Sequence, residues 1–443
     1  MASAGTSGQP APGAAISPGA ASSSGAATSP GAASVVVVGA GFAGLSSLRV
    51  LAHAGLRVTL VDHNIYSTFQ PLLYQVATAG LNPGDVAYPA RGFTRKYGVR
   101  FRRGELKTMD TQARRVTLAD GSQLGYDYLI IATGVSASYF GIEGAAKNSL
   151  ALYTRSDAIK LRDHLMAGLE RLSVAETGED VVITIVGGGA TGVEVAGTLA
   201  ELRNVALAAA YPEIAPARVK VRLVELGPAL IAPFSAPLCE YARRQLVKRG
   251  VDIQLDTTIR EVTPHSVIVD SGEELRSDIT VWAAGVAATP SAADWGLPQG
   301  KHGRIVVGPD LRVKGQDRIF AIGDIGVAEV DPSPQLAQPA IQEGKHAARQ
   351  IRNLAAGQPT TPFRYHDKGL MATIGRRSAV VDLPQGIRIR GTLAWLAWLA
   401  LHIFYLLGNR NRISTLLNLS WRYLTWRHGG GMIVGDDPPV DGE

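Results

Sequence analysis

Two blocks of the chain share one order of apolar and polar positions. Each has an apolar, β-branched run, a glycine-rich turn, a helical stretch and a second apolar run that ends in an acid. The first block has its runs at 35–38 and 56–62, with a helix to about residue 54, and the second at 181–186 and 221–225. A strand, a helix and a second strand in this order form a βαβ unit, so the sequence predicts two parallel sheets.

Three further apolar runs, at 128–131, 279–282 and 318–322, end in small residues or in a Gly-Asp pair. Strands end in this way where their carboxyl ends meet a ligand, and we expect these runs to complete the two sheets. A helix is predicted over 337–352. The fold class is therefore α/β, with two Rossmann-like dinucleotide-binding domains.

The last part of the chain changes character. Residues 393–407 carry no charge, arginines flank them, and four of the six tryptophans lie at or beyond position 395. The 18 residues of 391–408 are near the lower limit of roughly 17 for a membrane-spanning helix. Against spanning, aromatic or imidazole rings recur at one helical face, at Trp395, Trp398, His402 and Tyr405. We expect an amphipathic helical anchor in the membrane plane, with a spanning helix or a dimer interface as alternatives, and His402 at the interface or facing a partner.

Length and composition narrow the function classes. A chain of 443 residues predicts two or three domains, and a net charge of +6 without a basic run argues against nucleic-acid binding. The one cysteine, Cys239, excludes an intramolecular disulfide, a dithiol redox centre and a cysteine-pair metal site. Any redox chemistry must come from a bound cofactor. Residues 1–34 are uncharged and rich in Ala, Gly and Ser, which predicts a disordered leader without signal-peptide features and a protein whose bulk stays in the cytoplasm.

Each block contains a GxGxxG motif at its strand-to-helix turn. Such glycines let the backbone approach a pyrophosphate at a helix N-terminus, whereas a single copy could be an ordinary turn. Asp62 lies 23 residues after Gly39, close to the spacing at which an acid accepts from ribose hydroxyls. Glu225 lies 38 residues after Gly187, a longer spacing than usual, because residues 201–220 lengthen the predicted helix and its exit. The carboxylate of Glu225 would repel a 2′-phosphate, which favours NADH over NADPH.

The Gly323-Asp324 pair follows an apolar run and precedes the predicted helix at 337–352. An aspartate here can accept from a ribityl chain, and the helix N-terminus can stabilise a reduced flavin. Hydride transfer between stacked rings needs no general base, and we predict no metal site.

Several motifs recur in order: 69–78 (FQPLLYQVAT), 132–134 (ATG), 192–194 (GVE), 337–342 (AQPAIQ) and 367–369 (DKG). With them, the chain from 35 to about 428 resembles type II NADH dehydrogenase, most closely the actinobacterial members. The resemblance implies a monotopic enzyme on the cytoplasmic face of the membrane, in a respiratory chain. It implies transfer of two electrons from NADH through non-covalent FAD to a membrane quinone, menaquinone or ubiquinone, without proton pumping. It also favours a homodimer.

The resemblance assigns three sets of residues. The FAD set comprises Gly39, Ala40, Gly41, Phe42, Ala43, Gly44, Asp62, His63, Leu106, Thr133, Gly134, Asp324, Ala337 and Gln338. The NADH set comprises Gly187, Gly189, Thr191, Gly192, Glu225 and Gly285. The catalytic set is Glu194, Gln338, Gln342 and Lys368.

The catalytic set has competing interpretations. Gln338 and Gln342 are four apart and can project from one helix face toward a quinone, or can simply be solvated. Glu194, placed on the first turn of its helix, can reach the nicotinamide or complement the helix dipole. Lys368 can stabilise a quinol anion or be an ordinary surface lysine.

The expected division is a leader at 1–34, an FAD domain at 35–150 and 286–360, an NADH domain at 151–285, a membrane-anchoring region at 361–428 and a flexible tail at 429–443. Disulfide reductases and sulfide:quinone oxidoreductases need cysteine pairs, and soluble ferredoxin reductases need no apolar tail. An NADH-sensing flavoprotein remains an alternative.

Overall fold

The computed structural model describes residues 31–175 and 180–425, with the side chains of 422–425 left aside. Most of the predicted leader and the whole predicted tail at 429–443 therefore lie outside the described residues, and Ser34 already belongs to the first strand.

The strands, numbered in chain order, are β1 Ser34–Val38, β2 Arg57–Asp62, β3 Tyr66–Thr68, β4 Ala87–Pro89, β5 Arg100–Arg103, β6 Leu106–Asp110, β7 Arg115–Leu118, β8 Gln123–Gly125, β9 Tyr128–Ile131, β10 Ser136–Ala137, β11 Leu150–Ala151, β12 Val181–Val186, β13 Val219–Val224, β14 Asp252–Gln254, β15 Ile259–Val262, β16 Ser266–Val269, β17 Glu274–Arg276, β18 Ile279–Trp282, β19 Val286–Ala287, β20 Ile305–Val307, β21 Ile319–Ala321, β22 Gly326–Ala328, β23 Leu370–Gly375, β24 Ser378–Asp382 and β25 Arg388–Arg390.

The α-helices are α1 Phe42–His53, α2 Leu73–Ala77, α3 Ala90–Lys96, α4 Ala145–Asn148, α5 Arg155–Val174, α6 Ala190–Glu201, α7 Leu207–Ala210, α8 Ala236–Lys248, α9 Ala337–Ala355, α10 Thr392–Tyr405 and α11 Asn409–Thr425.

Two five-stranded parallel sheets organise the molecule. The first has the order β21-β9-β1-β2-β5 and the second β11-β18-β12-β13-β14. In each sheet the central strand, β1 or β12, is the one that leads into a glycine turn. Every residue of β9, β12 and β18 is buried. Strands covered by helices on both faces read as continuous apolar runs, which is why these three were visible in the sequence.

The second sheet is inserted into the first. The chain leaves the first sheet after β9, builds the second sheet, and returns to add β21. Exit and return run side by side, because β10 and β19 pair antiparallel. Strand β21 is the edge of the first sheet beside β9, so its carboxyl end lies near the first glycine turn.

A small antiparallel sheet lies between helices α6 and α10. Strands β23, β24 and β25 pair antiparallel, and β23 packs against α6. The sequence reading missed this sheet, which falls inside the region predicted as a membrane anchor. Helix α10 follows directly and packs on β24.

Candidate active site

The two glycine turns have the same geometry. Gly39 and Gly187 have φ values of +111° and +106°, in the region that favours glycine. A Cβ at either would overlap the strand end opposite, at Ala132 and Ala283–Ala284, and a Cβ at Gly44 or Gly192 would overlap the carbonyl of that first glycine. These glycines therefore let helix and strand approach closely.

The middle glycine of each motif is different. Gly41 and Gly189 have ordinary extended backbone, and a Cβ at either would meet no atom within 4 Å. Packing within the described protein does not require glycine there. Each instead faces open space at a helix N-terminus, α1 or α6, where backbone N–H groups can receive an anion.

The acids that end β2 and follow β13 contact these turns in the same way. Asp62 Oδ2 accepts from the Ala40 N–H at 2.6 Å, and Glu225 Oε2 accepts from the Gly188 N–H at 2.5 Å. Burial raises the pKa of Asp62, although hydrogen bonds from Ala40 and Asn64 pull the pKa downward. Glu225 is far from Gly187 in sequence because a π-helical turn over 202–206, α7 and a 3₁₀ turn separate α6 from β13.

Buried polar groups line the end of β9 and the turn after β21. The Thr133 hydroxyl is buried and has no hydrogen-bond partner within the described part of the chain. Asp324 receives a hydrogen bond from Tyr153. Burial raises the pKa of Asp324 to about 6, and the positive charge of Arg304 offsets only part of this rise. Arg304 also donates to the Asp324 carbonyl at 2.7 Å. These groups surround a site that suits a polar ligand.

Glu343 supports the same turn and was missed in the sequence. It is buried on α9, and its Oε2 accepts from the Gly323 N–H at 2.6 Å. Burial raises its pKa. The sequence could have indicated that Glu343 is buried, because it lies between Ala340 and Ala347 on the apolar face of the predicted helix.

The remaining FAD and NADH candidates differ in how exposed they are. His63 is exposed, Leu106 is buried in the hydrophobic core around the first sheet, and Ala337 is the first residue of α9. Thr191 is exposed at the start of α6. Gly285 lies against the ring of Phe140, a half-exposed phenylalanine with φ of +53° that sequence reasoning did not single out.

The two predicted glutamines on α9 have different environments. Gln342 donates from Nε2 to the His366 carbonyl at 2.9 Å and accepts from the His366 N–H at 3.0 Å. Its amide therefore fixes the segment that carries Lys368, which is exposed. Gln338 is half-buried and makes no side-chain hydrogen bond to another described residue.

Glu194 is buried, but not where the sequence placed it. It lies in the second turn of α6, whose first turn holds no acid, so the dipole-complementing alternative is wrong. Its Oε1 accepts from the Thr373 N–H at 3.4 Å, and burial raises its pKa to about 8. The close approach of α6 to β23 depends on Gly197, where a Cβ would overlap the Ile374 carbonyl.

The aromatic stripe of α10 faces the protein. Trp398 is buried. Its ring stacks on that of His402 with centroids 3.9 Å apart and meets the ring of Tyr74 edge-on with centroids 6.0 Å apart. The rings of His402 and Phe69 meet edge-on with their centroids 6.2 Å apart. Burial lowers the pKa of His402 to about 4. The prediction that His402 is an interfacial or partner-facing residue is therefore wrong.

Other apolar side chains of the last two helices are exposed. They are Leu393, Leu396, Leu401 and Phe404 on α10 and Ile413, Leu416, Leu417 and Trp421 on α11. None of the helices in the described part of the chain is both long enough and apolar enough to cross a membrane. Across 31–175 and 180–425, no group of three or more His, Cys, Asp or Glu side chains could hold a metal ion.

Comparison with known proteins decides the family. Residues 33–344 match the family described as pyridine nucleotide-disulphide oxidoreductase, and 367–428 match the NDH2 C-terminal domain. The chain is 38% identical over 403 residues to the type II NADH:quinone oxidoreductase NdhA of Mycobacterium tuberculosis, covering 86% of this chain and 85% of that protein. The chain belongs to the type II NADH:quinone oxidoreductase family. The resemblance to its actinobacterial members is confirmed.

Other members and solved structures agree with this membership. The type II NADH:quinone oxidoreductase of Staphylococcus aureus is 32% identical, over 78% of this chain and 88% of that protein. The structure of NDH2 from Plasmodium falciparum in complex with NADH is similar with a TM-score of 0.83 at 21% identity, covering 89% of this chain and 99% of that one. The predicted α/β fold is confirmed.

Proposed function

We propose that this family member oxidises NADH with a bound FAD and passes both electrons to a membrane quinone, without pumping protons, in a respiratory chain. The observation that carries the proposal is the repeated glycine turn with its open middle glycine and its backbone-bound acid. Two such turns provide for two dinucleotides, and membership of the family assigns one to FAD and one to NADH.

The residues of the first turn fit FAD. The open space at Gly41 admits a pyrophosphate, and the unpartnered Thr133 hydroxyl can donate to it or to the chain beyond. When bound, FAD supplies an acceptor for hydride and a donor of electrons to quinone. Asp62 and His63 serve the adenosine end with Leu106, while Gly134 and Asp324 serve the middle. Ala337 and Gln338 would border the ring system, and Gly39, Ala40, Phe42, Ala43 and Gly44 shape the turn.

The second turn would hold NADH. Gly187, Gly189 and Gly192 admit its pyrophosphate at the start of α6, beside Thr191, and Gly285 borders the nicotinamide half. Glu225 selects NADH, because a 2′-phosphate would bring negative charge to a carboxylate already fixed by Gly188 and Gly227. The chain's role in hydride transfer is orientation and exclusion of water.

The quinone side is assigned to Gln338 and Lys368, with Gln342 holding Lys368 in place through His366. Lys368 can stabilise negative charge that develops on the quinone. Glu194, whose pKa burial raises to about 8, would face the nicotinamide as a neutral acid.

We propose that the exposed apolar side chains of α10 and α11 anchor the protein in the plane of the membrane on its cytoplasmic face. The same proposal includes a homodimer and the division into an FAD domain at 35–150 and 286–360, an NADH domain at 151–285 and a membrane-anchoring region at 361–428. Because β23–β25 lie in this last region, the anchor itself is assigned to α10 and α11.

Stopped-flow absorbance of the FAD-loaded protein in neutral detergent tests the function. We expect NADH to bleach the flavin band and a short-chain quinone to restore it without oxygen. Bleaching without recovery would reject the quinone as acceptor and favour an NADH sensor. A Glu225→Ala variant should narrow the preference for NADH over NADPH by about tenfold or more, because the repulsive carboxylate is gone.

A further inference from the structure

A cavity of about 240 Å³ lies between the outer face of the first sheet's helices and the junction of α10 and α11. Its walls come from α1, α3, α9 and the α10–α11 junction and are largely apolar. They include Phe42, Leu45, Phe93, Ile341, Tyr405 and Leu407. Apart from Phe42, no residue of the FAD, NADH or catalytic sets lines it.

The mouth of the cavity is cationic. Arg49 of α1 and Lys345 of α9 line it, and both are exposed. Neither forms an ion pair with another residue in the described ranges, and no Asp or Glu lines the cavity. Two cations beside an apolar chamber complement an anionic head on a hydrocarbon chain. An uncharged quinone would not use this charge.

The roof of the cavity is fixed by the junction between α10 and α11. Gly408, with φ of +82°, packs so closely on the Tyr88 ring that a Cβ there would overlap it. Asn411 donates from Nδ2 to the Ala87 carbonyl at 2.7 Å. The exposed apolar side chains of α10 and α11 flank this junction in sequence, and Tyr405, Leu407 and Asn411 from the junction and its two helices line the cavity.

We propose that this cavity binds the hydrocarbon chain of a membrane lipid whose anionic headgroup pairs with Arg49 and Lys345. A volume of 240 Å³ equals about eight waters of roughly 30 Å³ each, which suits part of one chain rather than two. The inference that a membrane supplies this lipid rests on the membrane association proposed above. Binding itself is separate from electron transfer, and a bound lipid would tie the α10–α11 junction to α1 and α9.

Photo-crosslinking of the FAD-loaded protein in neutral detergent tests the site. The probe is a lysophosphatidylglycerol with a diazirine on its chain, and adducts are mapped by peptide mass spectrometry. We expect adducts on cavity residues, displaced about tenfold better by lysophosphatidylglycerol than by lysophosphatidylcholine of equal chain length. The charge-neutralised Arg49→Gln/Lys345→Gln variant should lose that preference, whereas the control Lys107→Gln/Lys147→Gln should keep it.

A Leu45→Trp variant, which fills the cavity, should lose the adducts while NADH still bleaches the flavin at the original rate. Three results overturn the proposal: adducts confined to the exposed faces of α10 and α11, equal displacement by the two lysolipids, or equal displacement by an uncharged decyl-quinone. The last would assign the cavity to quinone. A protein that fails the stopped-flow test but keeps the adduct pattern would separate the lipid site from the proposed function.

Discussion

Gly39 and Gly41 stand two residues apart in one turn, yet glycine is needed at each for a different physical reason. At Gly39 the reason is internal, because the backbone has φ of +111° and a side chain would overlap the end of β9. At Gly41 the space is empty. The sequence motif treats the two alike, and only the structure separates a folding role from a ligand-binding role.

Matched substitutions should show this difference. We expect Gly39→Ala to lower the melting temperature with or without FAD, at a cost of about 3 kcal/mol or more. Gly41→Val should leave the melting temperature of the FAD-free protein unchanged and reduce FAD retention at least about tenfold, because its side chain occupies the pyrophosphate space. Calorimetry and flavin absorbance measure the two effects. Equal stability losses in the FAD-free protein would contradict the assignment.

Glu194 makes stability depend on pH. Its pKa is about 8 in the folded protein against an ordinary 4.5, so the folded state holds the proton more tightly. This stabilisation is complete below pH 4.5 and is lost as pH rises through about 8, by on the order of a few kcal/mol.

Melting temperature measured from pH 5 to 9 should therefore fall less steeply in Glu194→Gln than in the parent protein. An exposed acid, Glu105→Gln, is the control and should not alter the slope. Parallel curves for Glu194→Gln and the parent protein would show that the buried carboxyl does not govern this range.

Elements were predictable where a local pattern decided them. The runs at 128–131 and 279–282 are β9 and β18 with those bounds, and the helix predicted over 337–352 is α9, which extends to Ala355. The sheet of β23–β25 was missed because its place depends on contacts with α6, about 180 residues earlier in the chain. Periodicity likewise put Trp398 and His402 on one face of α10 but could not say that this face meets Tyr74 and Phe69.

A buried acid, Asp85, contributes two of the hydrogen bonds that join helix α11 to the body of the protein. Asp85 Oδ1 accepts from the Ser414 hydroxyl at 2.7 Å, and its Oδ2 accepts from Asn418 Nδ2 at 2.7 Å. Asp85→Ala leaves both donors without this partner, at a cost of about 1–3 kcal/mol.

Hydrogen exchange read by mass spectrometry should then quicken in α11 more than in α10. Asp294→Ala, at an exposed position, is the control and should leave α11 protected. Unchanged exchange in α11 of the Asp85 variant would mean that apolar packing and the Asn411 hydrogen bond to the Ala87 carbonyl suffice to hold this helix.

At the scale of the whole molecule, the single cysteine correctly indicated that redox chemistry depends on a bound cofactor, since it leaves no protein-based redox pair. Composition could not indicate which apolar side chains of the last two helices are exposed. Leu416 and Leu417 of α11 are exposed at 48% and 63%, and both belong to the proposed membrane anchor.

We expect Leu416→Glu/Leu417→Glu to weaken binding to lipid vesicles at least about tenfold in a flotation assay, because two apolar side chains lose burial and two charges must be desolvated. Reduction of a water-soluble short-chain quinone should persist. Val330→Glu, at another exposed apolar position, is the control. Vesicle binding equal to that of the control would place the membrane contact elsewhere.

The insertion of one sheet into the other also sets the order in which the chain can fold on the ribosome. Strand β21 begins at residue 319 and β9 ends at residue 131, a separation of 319 − 131 = 188 residues. The second sheet is complete once residue 282 has emerged, whereas the first must wait with the edge of β9 unpaired. A nascent chain therefore carries an open, apolar strand edge until β21 has been synthesised, and an unpaired edge of this kind favours aggregation.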